Sequence, residues 1–172
     1  MNGDTCERGG RAQQKKSTGF LRLAVKLGIL SMICLILFRF VFGIYVCRGN
    51  SMYPSLRDGD LCITFRLEEY IKGDVCAVRR GDKIGFGRIV ATGGDVVNIS
   101  EEGYTINGME PSEEVLYPTT ADTGTISMPY TVPAGTVFLL HDFRSDAGDG
   151  RYYGAEEDLQ GKVIFVLRRR GF

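Results

Sequence analysis

Residues 49–63 read "GNSMYPSLRDGDLCI", and this stretch decides how the rest of the chain is parsed. Gly49, Pro54 and the Gly59-Asp60 step are turn formers. The run "DLCITF" that follows, residues 60–65, has the β-branched and aromatic content of a strand. Ser51 therefore stands on a turn at the entrance to β structure. Immediately upstream the composition changes completely. From Phe20 to Val46 the text is "FLRLAVKLGILSMICLILFRFVFGIYV".

The uncharged core of that run, Leu27–Phe38, is only 12 residues, short of the roughly 20 that cross a bilayer. Arg22 and Lys26 at one end and Arg39 at the other extend it when their stems snorkel toward the headgroups. The segment before it carries Arg8, Arg11, Lys15 and Lys16 against Asp4 and Glu7. The positive-inside rule then predicts a cytoplasmic tail over 1–19, an anchor over 20–40 and an extracytoplasmic domain over 41–172. A cleavable secretory leader is the rival reading. It fits less well, because no small-residue cleavage site follows the apolar core and "FRFVFGIYVC" is bulky. The aromatics of "FRFVFGIYV" suit the membrane surface, with Arg39 reaching headgroups.

The 172-residue chain balances 21 basic against 21 acidic side chains, so no bulk field favours nucleic acid. The five cysteines form no CxxC pair and have no histidine cluster beside them, which argues against a zinc site or any other cofactor. A Cys62–Cys76 bridge is the one pairing left open. Strand-like runs recur at 60–65, 74–79, 86–92, 95–99, 104–106, 136–141 and 162–167. Asn107-Gly108 suits a tight primed turn. Residues 111–132 read as a loop or loose hairpin insertion, and "GAEEDLQG" at 154–161 as a single helical turn. The expected fold is mainly β behind one N-terminal transmembrane helix.

The blocks "GNSMYPSLRDGDLCI", "GDVCAV", "GRIVATGGDVVNI", "GYTINGMEP", "VPAGTVFLLHDFRSDAGDGRYYG" and "LQGKVIFV" follow one another as in type I signal peptidases. Over about residues 30 to 170 the chain resembles the short, single-anchor kind typical of Gram-positive bacteria. The resemblance implies a signal-peptidase-like β-barrel or complex β fold. It also implies a serine endopeptidase acting on signal peptides of exported preproteins, with small side chains at the first and third positions before the cut. Ser51 matches the nucleophile, and Met52 and Pro54 complete its S-M-x-P block. The Ser51 N–H would hold the oxyanion, beside Gly49 and Asn50 in the substrate groove. Asp142, Arg144, Asp149 and Arg151 match the family's later block.

Three positions depart from the family pattern. The lysine that serves as general base is replaced by Gly87, next to Arg88. The serine that orients that lysine maps to Ala147. The only histidine of the chain, His141, stands where the family has a glycine. An imidazole here would refill space vacated by the lysine, and its ordinary pKa lets it act as a base near neutrality. Asp149 is the better candidate to orient it, because Asp142 is adjacent and points to the other face of a strand. Lys83 is a weaker substitute: four residues along a strand displace it by about 13 Å from position 87. The reading from a different class is a non-catalytic factor on the same scaffold, binding secreted or pilin subunits in pilus assembly.

Overall fold

The computed structural model of the chain describes residues 8–100, 103–111, 117, 119, 125–146 and 148–168, with helical side chains from residue 19 onward. The chain divides into two compact units, Met1–Phe40 and Val41–Phe172.

The first unit contains α1, Arg8–Phe40. Its segment Gly19–Phe40, 22 residues, is long and apolar enough to cross a membrane. At 1.5 Å per residue it spans about 33 Å, close to the hydrocarbon thickness of a bilayer. Its leucines, isoleucines and phenylalanines are exposed all round, Leu35 and Phe20 among them. A helix apolar on every side has lipid as its matching solvent.

The second unit is mainly β. Its strands are β1 (Phe42–Val46), β2 (Leu61–Phe65), β3 (Val75–Arg80), β4 (Lys83–Thr92), β5 (Val96–Ser100), β6 (Gly103–Ile106), β7 (Tyr130–Thr131), β8 (Val137–Leu140), β9 (Ala155–Glu156) and β10 (Leu159–Leu167). They form a seven-stranded sheet in the order β1-β2-β10-β3-β4-β8-β9 and a three-stranded sheet in the order β6-β5-β7. Neighbours are antiparallel throughout, and β3–β4 and β5–β6 are joined by short hairpin connections.

Alternation along the strands sends side chains into separate clusters. Ala77 and Phe86 join Met52, Leu56, Cys47 and Cys62 in one. Cys76, Val78, Ile89, Val137 and Leu139 form a second. The third, between the two sheets, holds Val90, Ala91, Val97, Ile99, Phe138 and Leu140. The β4–β8 register slips between Ile89 and Ala91. That bulge lets Val90 and Ala91 both face the inter-sheet core.

Asn107 and Gly108 both take positive φ, 54° and 79°, and Ile106 and Met109 exchange main-chain hydrogen bonds of 2.9 and 3.0 Å across them. The tight turn expected there is present. Two expectations need correction. The helical turn is α2, Gly150–Tyr153, not 154–161, where Ala155–Glu156 and Leu159–Gln160 are strand. The cap decides this, since Asp149 accepts the Arg151 N–H at the helix start. Phe42–Val46, absent from the expected strands, is a strand paired with β2. Of the expected insertion at 111–132, Tyr130–Thr131 pairs with β5. Residues 112–116, 118 and 120–124 lie outside the described residues. Cys62 and Cys76 are free, buried thiols.

Candidate active site

Ser51 sits in a turn that the sequence builds from its own polar side chains. Gly49, at φ 83°, donates its N–H to Asp58 Oδ1 at 2.7 Å. Asn50 Oδ1 accepts the Asp58 N–H at 3.2 Å, and the Asn50 carbonyl accepts the Tyr53 N–H at 3.0 Å. Met52 is fully buried and anchors the turn in the core. The Tyr53–Pro54 peptide is cis. Ser51 is thereby half-buried, its main chain fixed from both sides. Its carbonyl accepts the Phe143 N–H at 2.9 Å, which joins this turn to the segment following β8.

That segment carries His141, 6% exposed. Its main-chain N–H donates to Asp149 Oδ2 at 3.0 Å. Its ring Nδ1 stands 3.6 Å from Asp146 Oδ2, an electrostatic contact longer than a hydrogen bond, and has no partner within hydrogen-bond geometry among the described residues. Burial pushes the imidazole pKa below its ordinary 6.5, and the nearby Arg80 guanidinium adds to this; Asp149 and Asp146 pull the other way. The outcome is a ring that favours the neutral form. Among the described residues Ser51 Oγ makes no hydrogen bond to this ring.

Asp149 is not turned to the imidazole. It is fully buried, with both oxygens taken by the Arg151 guanidinium at 2.9 Å and by the main-chain N–H groups of His141 and Arg151. The carboxylate facing the ring is Asp146. Arg151 also donates to the Asp146 carbonyl at 2.7 Å, so the loop that carries Asp146 hangs on the Asp149–Arg151 pair. The spacing of "HDFRSDAGD" offered three acids near the histidine. Which one reaches the ring depends on the loop between residues 142 and 149, which has no periodicity to read.

Asp142 grips Arg88 with both oxygens, at 2.7 and 2.6 Å, and Arg88 also donates to Ser55 Oγ at 3.0 Å and the Gly73 carbonyl at 2.7 Å. This planar fork ties β4 to the far side of the Ser51 turn. Arg144, 1% exposed, lies over the Tyr104 ring at 5.2 Å. These matched residues brace the site from outside.

Gly87 lies on β4 opposite Cys76, one residue before the Arg88–Leu140 pair. A Cβ built there would stand 2.9 Å from Leu139 Cβ and 3.4 Å from its Cδ1. Leu139 is therefore the side chain packed against the bare backbone of Gly87. The imidazole is not among the nearest groups. Ala147 lies outside the described residues. Lys83 opens β4 and is exposed. With Tyr45, Val46, Arg48, Asp82 and Ile84 it lines a hollow of about 690 Å³. A second hollow, about 280 Å³, is bounded by Asn50, Tyr53, Arg57 and Phe143. Among the described residues no group of three His, Cys, Asp or Glu side chains is arranged to hold a metal.

An apolar helix, a two-sheet β domain, and a serine turn tied to a histidine-bearing segment are the features that comparison with known proteins can place. The family model described as "Signal peptidase, peptidase S26" matches residues 20–168. Signal peptidase I T of Bacillus subtilis (strain 168) is 25% identical over 173 residues, covering 91% of this chain and 90% of the relative. Signal peptidase I of Bacillus caldolyticus is 30% identical over 148 residues, covering 73% of this chain and 79% of the relative. A crystal structure of a signal peptidase I from Enterococcus faecalis V583 aligns with a TM-score of 0.44 and 20% identity, over 58% of this chain and 100% of that one. The chain belongs to the signal peptidase family, peptidase S26.

Proposed function

We propose that this protein is a membrane-bound serine endopeptidase that removes signal peptides from exported preproteins, with Ser51 as nucleophile and His141 as base in place of lysine. The observation that carries the reading is a buried imidazole with a lowered pKa, two residues from the Phe143 N–H that bonds Ser51. In the forward step the Ser51 Oγ attacks the scissile carbonyl carbon and its proton passes to the neutral imidazole. The Ser51 N–H, on a turn pinned by Asp58 and Asn50, holds the oxyanion. A preorganised donor of this kind supplies about 3 kcal/mol. The imidazolium then protonates the leaving amine, and water, activated by the same ring, releases the acyl group from Ser51. Asp146 steadies the imidazolium through Nδ1, and Asp149 is a positioning residue acting through the His141 main chain.

The hollow lined by Tyr45, Val46, Arg48, Lys83 and Ile84 runs beside β1, an edge of the larger sheet. An extended peptide adds naturally to such an edge. Family membership supports a signal peptide as occupant, with small side chains near the cut. The lipid bilayer is the second partner. The strand register lines up Ile44, Ile63 and Phe165 in one row and Val46, Leu61 and Leu167 in the next. Ile44, Val46, Phe165 and Leu167 are each about half exposed. An open apolar face of this kind suits a domain resting on the membrane. The basic tail supports an N-terminus in the cytoplasm, with residues 41–172 outside the plasma membrane.

A second reading, a non-catalytic factor that binds secreted or pilin subunits, draws on the lack of a Ser51–His141 hydrogen bond among the described residues and on Leu139 packing against Gly87. A preprotein cleavage assay with the full chain in detergent or vesicles separates the two. Cleavage lost in both Ser51→Ala and His141→Ala, and kept in Lys83→Ala, supports the enzyme. Peptide binding without any cleavage by the wild type supports the binder.

A further inference from the structure

We infer that the 280 Å³ hollow bounded by Asn50, Tyr53, Arg57 and Phe143 is a subsite for an acidic side chain of the substrate, on the side that follows the scissile bond. This rests on the reading of Ser51 as the nucleophile.

The two hollows flank Ser51 along the chain. The larger is lined by residues 44–48 before it and by the start of β4. The smaller is lined by residues 50, 53 and 57 around and after it, and by Phe143, whose N–H bonds the Ser51 carbonyl. A peptide whose leading part lies along β1 has to carry its trailing part past Ser51, toward the smaller hollow. Its walls are the rings of Tyr53 and Phe143, and Phe143 is itself held edge-on by Tyr117 at 4.8 Å between centroids. Aromatic walls of this kind hold the methylene stem of an aspartate or glutamate.

Charge selects the head group. The Arg57 guanidinium lies 5.4 Å over the Tyr53 ring and, among the described residues, has no carboxylate partner. Among the described residues neither neighbouring acid forms an ion pair with it. Asp58 Oδ1 is taken by the Gly49 N–H, and Asp60 is buried with Oδ2 on the Arg57 main-chain N–H. A guanidinium stacked on a ring keeps its donor edge free for a planar carboxylate. Among the described residues the hollow thus offers apolar walls and one positive charge outside any ion pair, which fits an acidic side chain better than a neutral or basic one.

The test uses the full chain carrying Ser51→Ala, in detergent, and fluorescent peptides spanning a cleavage site. The first three positions after the cut carry in turn Asp or Glu, their amides, or Lys. At low salt the acidic peptides bind about fivefold more tightly than their amides, the scale of a half-exposed charge pair. Arg57→Gln removes the preference and Arg57→Glu turns it toward Lys. Phe143→Asn weakens all peptides alike. Equal binding of the acidic peptides and amides, or a preference that survives Arg57→Gln, overturns the subsite. Cleavage by the wild type is scored separately: if no peptide is cut while the Arg57-dependent preference holds, the enzyme reading fails and the hollow stands as an acidic-side-chain site of a binding factor, without its placement after a scissile bond.

Discussion

The main-chain N–H of Phe143 donates to the carbonyl oxygen of Ser51 across 2.9 Å. This bond fixes the position of the serine turn relative to His141, two residues earlier. The histidine is held in turn by Asp149 through its own N–H. The imidazole is thus positioned by main-chain bonds on either side of it.

The first prediction concerns pH. Burial lowers the His141 pKa below its ordinary 6.5, so the neutral, base-competent ring persists into mildly acid solution. The acid limb of kcat/KM therefore lies below pH 6.5. Asp146→Asn removes a carboxylate that favours the imidazolium, so the limb moves lower still and the maximal rate falls. A stability consequence has the same origin. The unfolded chain takes up this proton before the folded one does, so stability is lost as pH falls below the ordinary imidazole value. His141→Ala removes that loss and, like Ser51→Ala, lowers kcat/KM by about three orders of magnitude or more. An acid limb that stays in place in Asp146→Asn denies Asp146 its role.

A second prediction follows from Leu139. Restoring the family's lysine by Gly87→Lys does not restore a lysine-type site, because the new Cβ meets Leu139 Cβ at 2.9 Å. Leu139 is fully buried, so the insertion overpacks the core and costs about 1–3 kcal/mol. Leu139→Ala alone opens a cavity and costs about 2–5 kcal/mol. Leu139→Ala keeps the Cβ at 2.9 Å and, of the nearest atoms, removes only Cδ1 and Cγ, at 3.4 and 3.5 Å from the new Cβ. Together the two changes are therefore less damaging than their sum by only about 0.5 kcal/mol. Urea unfolding of the four proteins in one detergent measures it. Strict additivity shows that the Leu139 atoms beyond Cβ do not limit the space beside Gly87.

These two sites show what was legible in the sequence. The strands were readable because alternation and turn formers are local, and Asn107-Gly108 announced its own turn. Phe42–Val46 was hidden because a strand continuing directly from an apolar run looks like more of the run. The serine turn and the histidine were visible as single residues against a family pattern. The identity of the ring-facing carboxylate was not, because Asp146 and Asp149 differ only through a loop held by Arg151. The packing of Leu139 against Gly87 was hidden for a related reason. It is a contact between two strands, and sequence spacing shows only one strand at a time.

The third prediction tests the buried pair. Asp149 is 0% and Arg151 2% exposed, and the carboxylate also caps α2 and holds the His141 N–H. Asp149→Ala leaves a buried guanidinium and two N–H donors without their acceptor. It costs about 3–5 kcal/mol, more than Asp142→Ala, whose partner Arg88 is less buried, its side chain 24% exposed against 3% for Arg151. Thermal unfolding of both variants gives the order. If Asp149→Ala is the milder change, the pair is not what supports the Asp146 loop.

The fourth prediction concerns the thiols. Cys47, Cys62 and Cys76 are buried and free. Burial above all, with Asp60 adding for the first two and Asp74 for the third, pushes Cys47 up to about 11 and both Cys62 and Cys76 up to about 12. At pH 8 about one Cys47 in a thousand is thiolate, and fewer still of the other two. Alkylation requires the thiolate and access to it, and the fold denies both. Iodoacetamide at pH 8, followed by peptide mapping, therefore leaves these three cysteines unmodified in the native protein and labels them fully in denaturant. Cys47 is the informative one, because it lies two residues before Gly49, next to the serine turn, with its Sγ 3.9 Å from the Gly49 carbonyl. If Cys47 labels rapidly in the native protein while Cys62 and Cys76 stay protected, the Ser51 turn opens to solvent without unfolding of the sheet. The preorganised oxyanion donor proposed for Ser51 would then be lost in the resting protein. Joint protection of all three ties the turn to the core through Met52 and Leu56, as their burial requires.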